Sequence, residues 1–545
     1  MVRNDYIYDE ETLPNIFTLA VRQGDQRWMF EISQWENDTE NLITFLTRLH
    51  HQSNARMVGF NNVGFDYPVL HLFINEYHKH PKGEKLAYRL WQKANEIIEG
   101  DDRFAHTIWG YNQYIPQVDL YLIHHFDNRA RSTSLKLLEF NMRRSHIEEL
   151  PFEPNVSLKE SQRQTLLDYN WEDVDATFAL YNETLSMIEF REQMSEQYHH
   201  NFINYNDTKI GKQYIINQLE EMEPGCCYTT DDDGKRVPRQ TLHEKAISLA
   251  EVIFPYIQFQ HPEFQRILEW FKCQSILGAY DRLPADVYAE VNGFKFGPFG
   301  LGGLHGSIND TIVRCTADYA IIDLDVKGYY PALGVANRLY PAHLGERFVD
   351  IYTQIAIQRN QHAKGTPINR MLKLAQNGVF GDTGNVYSPF YDLNYMLSIT
   401  INGQLLLCML AEYLLQIPGL QMIQVNTDGL TVHIPRNQLD RLEEVKSWWE
   451  NYTLLQLEEV EYNRMFIRDC NNYLAESLTG EIKRKGAYEN QPPADRNPTG
   501  WHQNLSALVV PLAAEAYLIK GIDPEQFIRN HPDIMDFMLR TKVGR

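Results

Sequence analysis

Carboxylates recur in this chain at spacings that would let them act together. Asp9 and Glu11 lie two apart in YIYDEETLPN, so an extended strand would project both from one face. NNVGFDYPVL offers Asn62, Phe65 and Asp66, and LLDYNWEDVDAT offers Tyr169 and Asp173 at i and i+4, on one side of a helix. In YAIIDLD, residues 319–325, Ala320, Ile322 and Leu324 alternate with Ile321, Asp323 and Asp325. That is a strand with one apolar face and two carboxylates on the other. Asp428 sits in the Thr-Asp-Gly tip between the two β-rich runs of QMIQVNTDGLTVHI. Singly, each of these is an ordinary solvated acid or core residue. Carboxylates are also the ligands that hard divalent cations take, so cation-assisted hydrolysis or group transfer is the chemistry such a set would carry.

The elements that must position these groups can be read from periodicity. Residues 6–30 alternate as strands do and 163–194 carry helical spacing, which predicts a first α/β domain ending near residue 190. EMEPGCCYTTDDDGKRVPRQ, residues 221–240, reads as a surface loop or boundary, and the glycine-rich 294–307 as a second boundary with little helix or strand propensity. Residues 346–364 and 367–380 are predicted helices joined at Gly365-Thr366-Pro367, with Thr as cap and Pro in the first turn. Residues 401–416 are apolar nearly all round, a buried helix stopped by Pro418-Gly419, and 421–434 is a hairpin. No internal repeat interrupts this order.

Length and composition set the outer limits. The 545 residues suggest three or four domains, and 43% hydrophobic with 12% aromatic residues excludes wholesale disorder. The six cysteines include no C-x-x-C pair, which points to a reducing, intracellular setting. No apolar run of spanning length and no leader-like opening is evident, so a soluble, unexported protein is expected. A net charge of −21 argues, in bulk, against a nucleic-acid partner. Locally the sign reverses: 351–381 holds Arg359, Lys364, Arg370 and Lys373 with no acid, and 482–488 holds three more basic residues. The acidic excess is expected to face away from such a partner, in loops such as Asp231–Asp233 and around Glu458-Glu459.

The order D-x-E, N-x-x-F-D, Y-x-x-x-D resembles the 3′–5′ proofreading exonuclease domain of family B DNA polymerases. The resemblance implies Asp9, Glu11, Asp66 and Asp173 as ligands of two divalent cations and Tyr169 as the residue orienting the attacking water. It implies that Asn62 and Phe65 hold a frayed 3′ end, and that Ser134-Leu135 is the family's single-strand-binding element, beside the basic Arg129, Arg131 and Lys136.

The second half resembles the polymerase motifs of the same family. Asp325-Val326-Lys327-Gly328-Tyr329-Tyr330-Pro331 is similar to the first. Strand periodicity does not choose between Asp323 and Asp325; the resemblance chooses Asp325, adds Val326 to the metal set, and puts Tyr330 at the steric gate that excludes ribonucleotides. Lys373, Asn377, Gly378, Phe380 and Gly381 resemble the second motif, with Arg359, Lys364, Lys373 and Asn377 on the incoming triphosphate. Asn426-Thr427-Asp428-Gly429 resembles the third, where the family has D-T-D-S; Asp428 keeps the ligand and Asn426 replaces the first acid. Glycine stands at 328 and 429, where the family favours serine. EIKRKGAY resembles the motif that holds the primer terminus, which implies Lys485 and Tyr488 as its contacts, and FGLGGLHG lies where the family has a Y-x-G-G linker, lacking its tyrosine, which implies Gly302 and Gly303 as glycines that approach template phosphate.

The implied architecture is multidomain α/β and α+β, a ribonuclease-H-like exonuclease domain followed by a right-hand polymerase. The expected boundaries are exonuclease 1–190, a connecting region 191–310, palm 311–345 and 381–475, fingers 346–380, and a short thumb 476–545 ending on LRTKVGR. The resemblance implies primer–template DNA and dNTPs as partners, two Mg2+ per active site with Mn2+ as a substitute, accessory replication proteins, a monomer and no membrane. Only 52 residues separate Asp325 from Asn377 and 51 separate Asn377 from Asp428, leaving little room for the insertions of protein-primed members. A bacteriophage-like enzyme extending a nucleic-acid primer in the host cytoplasm is therefore expected. The rivals are an exonuclease with a weakened palm, suggested by Asn426, a non-catalytic DNA-binding scaffold, and a reverse transcriptase, which would lack the exonuclease set.

Overall fold

The computed structural model describes residues 3–80, 83–102, 104–490 and 498–540. They fall into two compact units, one of residues up to Asp207 together with 498–506, the other running from Thr208 to Asn490 and resuming at Ala507. The first unit thus extends past the expected boundary at 190. Residues 498–506, expected in a thumb, belong to it instead: Trp501 is buried in its core, and the Asn141 side-chain amide donates to the carbonyls of Trp501 at 2.7 Å and Gln503 at 2.9 Å.

The first unit is built on a five-stranded sheet in the order β3-β2-β1-β4-β5. The strands are β1 (Asn4–Leu13), β2 (Ile16–Gln23), β3 (Gln26–Ser33), β4 (Ala55–Gly59) and β5 (Gln117–Asp119). β1–β3 form an antiparallel meander, whereas β4 runs parallel to β1 and β5 parallel to β4. Alternation along β1 sends its side chains into two different cores. Tyr6 and Tyr8 join Phe17 and Leu19 against α1 (Thr39–His51), α2 (Asp66–Glu76) and α3 (Gly83–Glu99), through Leu46, Leu70 and Leu90. Ile7, with Ala20 and Val58, packs on Val174, Leu180 and Ile188 of the 36-residue helix Arg163–Tyr198. Asp9 and Glu11 continue the Ile7 face and so meet that long helix.

The second unit is organised by an eight-stranded sheet. Tyr319–Val326 lies at its centre, antiparallel to Gly429–Pro435 on one side and Leu457–Asp469 on the other. Gln421–Asn426 and Gly429–Pro435 form the expected hairpin. Asn472–Ser477 and Ile482–Arg484 extend the sheet beyond residue 475, and the helices Val509–Lys520 and Pro524–Asn530 follow it. Of the basic C-terminal run, Lys542 and Arg545 lie outside the described residues. The glycine-rich 294–307 contains two short strands, Phe294–Phe296 and His305–Ser307; burial of Phe294 and Phe296 outweighs the low propensity of the glycines around them.

The two predicted helices run Arg347–Gln361 and Pro367–Gly378. Thr366 caps the second by accepting from the Asn369 amide, while the Asn369 side chain closes the hairpin by donating to the carbonyls of Arg359 and His362, both at 3.0 Å. The apolar helix begins earlier than its composition suggested, at Leu393, because Asp392 caps it by accepting from the amides of Asn394 and Tyr395. Leu393–Leu414 is long and apolar enough to cross a membrane, yet 89% of its most apolar window is buried within the protein.

Candidate active sites

The first unit gathers three carboxylates from two distant segments. Asp9 and Glu11 on β1 and Asp173 on the long helix bring ligand oxygens within 4.8 Å of one another. Asp66 opens α2 nearby. Burial, reinforced by Asp173 and Asp66, pushes the carboxyls of Asp9 and Glu11 well above the ordinary range. Asp66 is raised to about 7, again chiefly by burial. Like charges held this close are relieved either by a proton, as the raised carboxyls reflect, or by a cation. Lys136 is one: it is buried, contacts Asp173, and lies 3.1 Å from Glu139. Its ammonium also sits 4.8 Å above the Tyr169 ring, whose hydroxyl hydrogen-bonds Asp173. A divalent cation fits the remaining negative charge, since the three carboxylates converge on one point with only oxygen donors.

Supporting groups that sequence reasoning did not find surround this cluster. The Asn170 side chain donates to Asp9 at 2.9 Å and accepts from Thr18 at 3.0 Å, fixing the Asp9 carboxylate. Asp119 is fully buried and accepts from the amides of Asn61, Val63 and Tyr121, and burial raises it to about 7. Glu10 points to the opposite face of β1; it is buried, and neither carboxylate oxygen has a hydrogen-bond partner among the described residues. Asn170 could have been read from its i−3 relation to Asp173 on the helix, but nothing local marks Asp119.

The proposed DNA contacts of this unit are placed unevenly. Asn62 is fully buried and donates to Gln117 at 2.9 Å, on an oxygen that also accepts from Tyr8, so it ties the start of α2 to the sheet rather than facing solvent. Phe65 is half-buried at the α2 N-terminus. Ser134 caps the helix Leu135–Asn141 by accepting from Leu137, and Leu135 is buried. Arg129 is exposed and Arg131 half-buried, but Lys136 belongs to the carboxylate cluster and not to a basic face.

In the second unit, strand register brings Asp325 opposite Gly429, and the Val326 amide donates to the Asp428 carbonyl at 2.7 Å. Asp325 and Asp428 thereby share one end of the sheet. The choice between Asp323 and Asp325 is resolved by depth. Asp323 is buried and accepts from Thr431 at 2.6 Å, Tyr462 at 2.9 Å and Lys483 at 3.3 Å, whereas the Asp325 side chain is 45% exposed. Burial, then the Asp323 charge, raises Asp325 to about 6 against the pull of Lys483, 3.9 Å away; partial desolvation raises Asp428. The hairpin tip is tightly built. Thr427 has φ +53°, its amide donates to the Leu304 carbonyl at 2.7 Å, and a Cβ on Gly303 would meet its side chain at 2.8 Å. A Cβ on Gly429 would fall 2.1 Å from Asp325 Oδ1. Gly302 has open space around it. Gly328 caps the helix Tyr329–Ala336 in the left-handed region, at φ +56°.

The Tyr330 ring is half-buried, 5.6 Å from Tyr329 and 4.6 Å from Phe380, which joins the first motif to the second. Lys364, Lys373 and Asn377 are exposed, and Arg359 donates to Gln376 at 2.8 Å. Lys485 is exposed and close enough to favour ionisation of Asp428, and Tyr488 is half-buried beyond it. The neighbouring basic residues turn inward, Lys483 to Asp323 and Arg484 to Glu515 at 2.6 Å. Glu458, expected to face away, lies directly across the strand pair from Asp325 and adds to its negative surroundings.

No family model and no curated protein matches the chain. Among solved structures it is similar to the family B DNA polymerase from the hyperthermophilic archaeon Pyrobaculum calidifontis, at 15% identity and a TM-score of 0.44, over 98% of this chain and 66% of the other. The chain therefore spans just under two thirds of that polymerase's length.

Proposed function

We propose that this chain is a template-directed DNA polymerase of the family B type, extending a nucleic-acid primer with dNTPs and carrying a 3′–5′ proofreading exonuclease in its first unit. The observation that carries the reading is the register of the central strands, which sets Asp325 against the turn that presents Asp428. Two carboxylates from segments about a hundred residues apart meet where one is half-exposed and the other exposed, which is the placement a nucleotidyl-transfer site needs. The three converging carboxylates of the first unit support the nuclease by the same reasoning.

In the palm, Asp325 and Asp428, with Val326 adjacent, would hold Mg2+, and in the first unit Asp9, Glu11, Asp66 and Asp173 would do so. Mg2+ there supplies Lewis acidity toward the attacking oxygen and charge neutralisation at the leaving group. The rest of the work falls to side chains. Tyr330, braced by Phe380, lies under the sugar and excludes a 2′-hydroxyl. Lys373 and Asn377, with Lys364 and Arg359, bind the triphosphate from one helical hairpin. Lys485 and Tyr488 hold the primer terminus beside Asp428, and Gly302 and Gly303 admit the template backbone. In the first unit Asn170 fixes Asp9 while Tyr169 orients the attacking water, and Lys136 balances Asp173.

The short intervals between motifs support a compact, bacteriophage-type replicative enzyme that acts as a monomer in the host cytoplasm with accessory proteins. A labelled primer–template incubated with Mg2+ tests both activities: extension with dNTPs and 3′ shortening without them. Asp428→Ala should abolish extension and spare shortening. An Asp428→Ala protein that still extends would sink the palm assignment and leave the exonuclease reading alone.

A further inference from the structure

The loop that leaves the helix Asp207–Met222 carries adjacent cysteines outside both carboxylate sites. Cys226 is 2% exposed and Cys227 fully buried. Their Sγ atoms are 3.8 Å apart, and both fall within 4.8 Å of a Glu220 oxygen. Two thiolates bound at about 2.3 Å to one tetrahedral ion stand about 3.8 Å apart. The sulfurs thus already span the edge of a zinc-like tetrahedron.

Glu220 is held for the same purpose. One of its oxygens accepts from the Gly225 amide at 2.6 Å and the other from the Cys227 amide at 2.8 Å. Each oxygen keeps a second lone pair, and the two amides fix the carboxylate on the sulfur side of the loop. Gly225, at φ +83°, makes the turn that returns the chain to Glu220. The next residues form the short hairpin Tyr228–Thr230 with Arg236–Pro238, and the Arg239 amide donates to the Cys227 carbonyl at 2.8 Å, so the loop is pinned on both sides.

We infer that Glu220, Cys226 and Cys227 form a binding site for a thiophilic divalent ion of the zinc class, with solvent as the remaining ligand. Binding exchanges the two thiol protons for the ion. The role is structural. On the same helix, Gly211 lies so close to the Leu374 carbonyl of the helical hairpin that a Cβ would meet it at 2.4 Å, and Glu223 pairs with Arg347 at the hairpin's start. An ion at the helix end would lock the element on which that hairpin rests.

The test uses the full chain, reduced and stripped of metal, titrated with Co2+ in the presence of excess Mg2+. One equivalent should produce a near-ultraviolet thiolate-to-cobalt band that Zn2+ abolishes. Cys226→Ser and Cys227→Ser should each lose the band, whereas Cys273→Ser and Asp428→Ala should keep it. Glu220→Gln should weaken binding about tenfold or more. Independently of any variant, stoichiometric Zn2+ should protect two thiols of the native chain from alkylation, and peptide mapping should find them at Cys226 and Cys227. The inference is overturned if one equivalent of Co2+ gives no band, if the band survives either serine variant, or if the protected thiols map elsewhere.

Discussion

Gly429→Ala probes the Asp325–Asp428 site most sharply, because the space at this position is set by Asp325 itself. An added Cβ would lie 2.1 Å from Asp325 Oδ1, 2.6 Å from the Leu324 carbonyl oxygen and 3.0 Å from Asp325 Cα. An ordinary carbon–oxygen contact is about 3.3 Å, so the carboxylate must move by about 1.2 Å and the carbonyl by about 0.7 Å. Side-chain rotation can relieve the first clash only by turning Asp325 out of its place; the second requires the strands to part, since Leu324 pairs with Leu430 in the ladder. Overpacking of this kind costs about 1–3 kcal/mol of stability. A displacement near 1 Å at a reacting group costs about a hundredfold in rate. Gly429→Ala should therefore lower kcat for primer extension about a hundredfold, leave 3′ shortening unchanged, and depress the melting temperature by only a few degrees. Asp428, the residue just before the substitution, keeps its side chain in this variant, so the loss is read at Asp325. Gly328→Ala is the comparison: no atom lies within 4 Å of the added Cβ, and the left-handed φ of +56° costs about 1–2 kcal/mol without touching Asp325. Wild-type extension by a folded Gly429→Ala protein would refute the placement of Asp325 as a reacting group's partner.

Lys136→Met should lower stability by about 3–5 kcal/mol in metal-free thermal unfolding, because Asp173 and Glu139 lose their buried cation, and it should remove 3′ shortening while extension persists. Asp119 gives a pH signature of definite sign. Its carboxyl is raised in the fold to about 7 from an ordinary 3.8, so the folded state binds the extra proton; its share of stability is complete below about pH 4 and lost as the pH rises to about 7. Melting curves from pH 4 to 8 should show a decline that Asp119 shares with Asp66, and Asp119→Asn should make it shallower. Lys485→Ala should weaken primer–template binding and lower the salt slope by about 0.9 with no change in melting temperature. Arg484→Ala should instead cost about 1–3 kcal/mol of stability, by freeing Glu515, and leave the salt slope unchanged.

The carboxylates were legible in the sequence where a local period decides their direction. Asp9 and Glu11 share a face because strand side chains alternate, and Tyr169 and Asp173 share one because helical side chains return every turn. The same rule could not separate Asp323 from Asp325, which stand on one face of one strand. What separates them is the neighbouring strands: Thr431 and Tyr462 close over Asp323, while Gly429 leaves Asp325 open. Those neighbours lie more than a hundred residues downstream, and register between distant strands leaves no local trace. The docking of Trp501 into the first unit is of the same kind, a contact across several hundred residues that no window of sequence contains.

Charge was the least reliable guide, for a physical reason. Counting basic residues along the chain treats each as free to meet phosphate, but a cation beside a carboxylate is drawn to it first. Lys483 and Arg484 spend their charge on Asp323 and Glu515, and Lys136 on Asp173 and Glu139, although all three lie in runs that looked basic. Lys364, Lys373 and Lys485 remain exposed. The inward lysines are not idle: Lys483 lies 3.3 Å from Asp323 and 3.9 Å from Asp325, so it holds down repulsion between these carboxylates. Where carboxylates are gathered this closely, some of the basic residues must serve the cluster itself, and the number left to meet an anionic partner is smaller than the local sums imply.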